Sequence, residues 1–164
     1  MKSIRIIIAP FAFLSGLGFV LSCFSFFLMI AKIDSTILNY YVYILYAFYV
    51  LWMPAIIMSN ITARNHVRKD FWKVILWATP KWLKISPITL IIISLLFYLL
   101  SFFNVILYSY EKYGYNYFSL FLMAGYLSAF SIFYSPLKEG KLIISKDEYD
   151  IMKENARKNR IKIK

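Results

Sequence analysis

The stretch Arg64–Lys84, RNHVRKDFWKVILWATPKWLK, decides how this chain is read. It is a basic, tryptophan-rich segment set between two long apolar runs. A run of about 20 apolar residues matches the hydrocarbon thickness of a bilayer, and a basic loop between two such runs marks the side on which they are joined. Within the stretch, Val67, Phe71, Val74, Ile75 and Ala78 share one face of a helix, and Lys69 and Lys73 take the opposite one. Trp72 and Trp77 stand at the border, with Trp82 just beyond. This pattern predicts a helix over about 66–79 lying in the headgroup plane, ended by Pro80. Arg64, Arg68, Lys69, Trp72, Lys73, Trp77, Lys81, Trp82 and Lys84 are the residues expected to touch lipid headgroups or a cytoplasmic partner.

Working outward, the apolar runs predict four spans at about 6–31, 37–59, 85–104 and 117–135. The fold class is therefore all-α: an integral membrane four-helix bundle occupying residues 1–136, followed by a basic tail, 137–164, with a short C-terminal helix. Composition agrees: 61% of the 164 residues are hydrophobic and mean hydropathy is +0.63, against about 45–50% apolar in soluble domains. The first run is longer than the core of a signal peptide, about 7–15 residues, and is expected to stay as a span.

Charge sets the topology. Of 19 Lys and Arg, two lie before the first span, six in residues 64–84 and nine in the tail. The two remaining connections carry only Lys32 and Lys112. Basic segments stay in the cytoplasm, so both termini and the central loop are expected there. The net charge of +11 is accounted for by this topology, and nucleic acid is not an expected partner. The expected partners are anionic headgroups of the bilayer and a membrane protein or a second copy of the chain.

Small residues recur four apart, Ala12 with Gly16 and Gly18 with Ser22 in the first span, Ala124 with Ser128 and Gly125 with Ala129 in the fourth. Such spacing permits close helix approach in lipid. The first and fourth spans are expected to pack most closely, through Gly16, Gly18, Ala124, Gly125, Ser128 and Ala129. Tyr40, Tyr43, Tyr46 and Tyr49 recur in the second span, either as packing and interfacial rings or as the lining of a lipid-tail or quinone site. Gly114 is expected to break the chain before the fourth span. In the tail, Ser145 and Glu148 have capping-box spacing.

One cysteine, Cys23, excludes an internal disulfide and a thiolate zinc site, and one histidine, His66, excludes bis-histidine haem ligation. No Asp, Glu, Lys, Arg or His lies within the four spans, whereas coupled transport ordinarily uses one. No catalytic motif is evident. The expectation is a protein without enzymatic activity, cofactor or metal, acting by contact; immunity to a pore-forming toxin is one concrete form. An oligomeric channel or lipid transporter is the alternative, and a lipid-modifying enzyme using Arg64, His66 and Asp70 the next.

Phe71-Trp72-Lys73 followed by Pro80-Lys81-Trp82-Leu83, together with Phe118-Ser119, Met123-Ala124, Tyr126, Ala129-Phe130 and Phe133-Tyr134-Ser135, resembles a group of small bacterial membrane proteins with four predicted spans and no assigned activity. The resemblance covers about the second half of the chain. It implies four helices and a bacterial cytoplasmic membrane. Where that group has a Gly-His-Trp step, this chain has Leu120, Phe121 and Leu122.

Overall fold

The computed structural model describes residues 2–30, 41–64, 66, 70–102, 110–143, 145, 147–151 and 154. The described residues are helical wherever they are regular. The elements are α1 (Lys2–Ile30), α2 (Tyr41–Ala63), α3 (Phe71–Ile75), α4 (Lys81–Phe102) and α5 (Tyr110–Glu139). Every element but α3 is long and apolar enough to cross a membrane, as the four apolar runs imply. A helix of 22 residues, the shortest of the four, rises about 33 Å at 1.5 Å per residue, enough for a hydrocarbon core of about 30 Å.

Several boundaries move. α4 begins at Lys81, directly after Pro80, so Lys81 and Lys84 belong to the helix rather than to the loop before it. α5 passes through Gly114 and through Pro136, both expected to lie outside it. Proline removes one backbone donor but fits a helix already held by its neighbours. What stops α5 is Gly140, whose φ of 68° lies in the left-handed region open to glycine. Its amide donates to the Pro136 carbonyl at 2.8 Å.

The arrangement is three helices around one. α5 is the axis: its span is 61% buried, against 17% for α4. α1 lies along α5 in the most extensive contact of the fold, and α2 packs on both. α4 lies along α5 and makes only marginal contact with the other two, one of them a Phe26–Phe97 edge-to-face pair at 6.2 Å. One apolar cluster, around Ile8, Ala55, Ile75, Ala129 and Phe133, holds α1, α2, α3 and α5 together. A second, Leu51, Leu122 and Tyr126, lies deeper.

The expected closeness of α1 and α5 is present, but the small residues make it in an unexpected way. Gly18 seats the ring of Tyr126, one of the largest fully buried side chains. Gly125 seats Phe48 of α2 rather than any part of α1. A Cβ on Gly16 would meet nothing within 4 Å. Ala124 and Ala129 are buried, and Ser128 is half-buried with its hydroxyl on its own helix, 2.8 Å from the Ala124 carbonyl. Gly18 and Gly125 are sockets for aromatic rings, not a groove for a second backbone.

Candidate headgroup and partner interface

The basic segments meet at one end of the bundle. Arg5, near the start of α1, donates through Nη2 to the Lys138 carbonyl at 2.7 Å. A guanidinium at a helix C-terminus satisfies a free carbonyl and complements the negative end of the dipole. His66 packs its ring on Tyr149 of the tail at 5.6 Å, with the planes near perpendicular. The loop after α2 and the tail after α5 are thus joined.

Between α3 and α4 the chain is stitched into the core by hydroxyls. Thr79 donates to the Ser131 carbonyl at 3.1 Å and lies 2.8 Å from the Ser135 hydroxyl. With its one proton spent on the carbonyl, Thr79 accepts from Ser135. The Ser131 hydroxyl lies 3.0 Å from the Leu83 carbonyl and 2.7 Å from the Leu127 carbonyl. Thr79, Ser131 and Ser135 are all buried. Their residue types do not single them out; the four-residue spacing of two serines, with a Thr-Pro step elsewhere in the chain, is the available sequence signal.

This stitching corrects the expected headgroup helix. Among the described residues the helix is α3 alone, five residues, followed by turns through Thr79. Val74 and Ile75 are buried in the core, because the loop dips between helices instead of resting on the surface. Residues 67–69 lie outside the described residues, so the expected roles of Arg68 and Lys69 do too. Of the other candidates, Arg64, Trp72, Lys73, Lys81 and Trp82 are exposed, whereas Trp77 and Lys84 are half-buried.

The ion pairs at this end are superficial. Lys73 reaches Asp70 at 3.0 Å, which raises the Lys73 ammonium above its ordinary value. Lys141 reaches Glu148 at 2.8 Å. The expected capping box is formed: the Glu148 amide donates to Ser145 Oγ at 3.2 Å, and the Ser145 amide to Glu148 Oε2 at 3.3 Å. Lys141 first, and then the Ser145 amide, hold the Glu148 carboxyl below its usual range. Helical backbone follows at 147–151. Burial, and then the charge of Asp70, push the Tyr149 phenol up. Of the suggested catalytic set, Asp70 is engaged by Lys73 and the His66 ring by Tyr149. Among the described residues no group of three or more His, Cys, Asp and Glu is placed to hold a metal ion.

Because α4 leans chiefly on α5, an apolar cleft opens on each side of it. The cleft toward α1 has a volume of about 730 Å³ and is bordered by Gly16, Trp82, Ser86 and Phe130. The cleft toward α2 has about 620 Å³ and is bordered by Phe48, Trp52, Trp72, Lys84, Ile88 and Phe121. Both sizes fall within the range of about 300–1,000 Å³ typical of ligand pockets. In α2, Tyr43 and Tyr46 point outward from the bundle, so the described part of the tyrosine face lines neither cleft. Tyr40 lies outside the described residues, as does the side chain of Tyr49. Comparison with protein-family models, curated proteins and solved structures returns no match, and the two clefts beside a basic end are read by their own chemistry.

Proposed function

We propose that the chain is a non-enzymatic interaction protein of the bacterial cytoplasmic membrane, with both termini and the Arg64–Lys84 loop in the cytoplasm. The distribution of Lys and Arg supports the orientation, since the segments carrying 17 of the 19 lie at the start, the central loop and the tail. The resemblance noted above supports the bacterial membrane. One observation carries the contact role: α4 is held by one edge, with the least buried span of the four and a cleft on either side. Such a helix offers its bare surface to a second membrane protein, where shape and van der Waals fit rather than hydrophobicity drive association. A pore-forming toxin held inactive in the bilayer is one such partner.

The test places a photo-crosslinking residue at Leu95 or Ile92 on the exposed side of α4, and at Phe13 on the exposed side of α1. The expected outcome is one adduct of defined protein mass from α4 and none from α1, unchanged when Arg64, His66 and Asp70 are all replaced by Ala. Lipid adducts alone from both helices, or loss of the cellular phenotype with the triple alanine change, would overturn the reading.

A further inference from the structure

We propose that the cleft between α2 and α4 is a site for one anionic phospholipid of the leaflet at the basic end, its phosphate on Lys84 and one acyl chain along the cleft. The inference rests on reading that end as the membrane-surface end, not on the identity of any protein partner.

Three features carry it. The first is charge. Lys84 is half-buried and borders the cleft. Lys73 and Lys141 are neutralised by Asp70 and Glu148, and Arg5 caps α5. Lys84 has no such acidic partner among the described residues. The N-terminus of α4 lies at the same end, and its first-turn N–H groups add partial positive charge where a phosphate would sit.

The second feature is length. Along α5 the cleft runs from Ile132 to Phe121, about 16 Å at 1.5 Å per residue. Half of the hydrocarbon core is about 15 Å. Measured from the Lys84 turn, the cleft is therefore about as long as one acyl chain of one leaflet. The third is lining. Beyond Lys84 the walls are chiefly aliphatic and aromatic, and the Ser128 and Ser131 hydroxyls at the floor are already bonded to carbonyls. Trp72, exposed at the mouth, has the amphipathic ring that favours the headgroup level. A charged mouth above a dry, chain-length trough fits an anionic amphiphile better than a protein helix, which is about 10 Å across.

The experiment is native mass spectrometry of the full chain, taken from nanodiscs of equal phosphatidylglycerol and phosphatidylcholine into mild detergent. Both leaflets of a nanodisc are equivalent, so the result does not depend on orientation or on any partner protein. The expected result is one retained phosphatidylglycerol, favoured about ten-fold over phosphatidylcholine. Lys84→Gln should abolish the preference and Lys84→Arg should keep it. Lys138→Gln, an equal loss of charge at an exposed position outside the cleft, should leave it intact. Ile88→Trp, which fills the trough from an exposed position, should displace the lipid. No preference in the wild type, or equal losses in Lys138→Gln and Lys84→Gln, would overturn the proposal. A monodisperse elution profile for each variant separates loss of lipid from loss of fold.

Discussion

Gly16 and Gly18 look alike in the sequence, two residues apart in one span, yet the fold separates them sharply. A Cβ on Gly18 runs into the Tyr126 ring, which is 1% exposed and already packed edge-on with Phe48 at 5.2 Å. The ring has nowhere to retreat, so Gly18→Ala should carry an overpacking cost of about 1–3 kcal/mol. A Cβ on Gly16 faces the cleft beside α4 with nothing within 4 Å. Gly16→Ala should therefore be neutral or stabilising by up to about 1 kcal/mol, because alanine loses less backbone entropy in a helix. A gap of about 2 kcal/mol between the two is about a thirty-fold difference in the unfolding constant. Unfolding in mixed micelles of rising sodium dodecyl sulfate, followed by tryptophan fluorescence, resolves it. Tyr126→Leu should relieve Gly18→Ala, with a favourable coupling of about 1–2 kcal/mol in the double-mutant cycle. Equal effects of the two glycine substitutions, or no coupling to Tyr126, would refute the ring-in-socket account of the α1–α5 contact.

Thr79→Val keeps shape but strips the hydroxyl from Ser131 and Ser135, and should cost about 1–3 kcal/mol in the same titration, whereas Thr79→Ser should cost less than half of that. The tail should respond to acid. The Glu148 carboxyl is held below its ordinary value of 4.5, so its contribution is full above that value and is lost as pH falls through the depressed one. Protection of the Ser145 and Glu148 amides, relative to their intrinsic exchange rates, should fall over that window, and Glu148→Gln should remove this change.

The capping box and the four spans were legible because their causes are local. Ser145 and Glu148 are three apart and reach each other's amides without help from the rest of the chain. Each span answers a single requirement, enough apolar length to cross hydrocarbon with every backbone group bonded internally. The candidate interface was legible only in outline. Arg64, Lys73, Lys81, Trp72 and Trp82 are exposed as the residue types suggest, but the helix expected beneath them shrinks to α3. Its apolar positions have a better use in the core, where Val74 and Ile75 are buried and Thr79 is bonded across more than fifty residues of sequence.

From its order of residues alone the chain determines that it crosses a bilayer four times and gathers its basic segments at one end. Which helix stands at the centre was a matter for tertiary structure. In water, polarity marks the outward face of a helix; in lipid both faces are apolar, and although α5 is less apolar than α1 and α4, composition does not say which faces meet. Only the fit of Tyr126 over Gly18 and of Phe48 over Gly125, with Thr79 tied to Ser131, makes α5 the axis. The same packing leaves α4 on its edge, and that is the origin of the clefts from which a function is inferred.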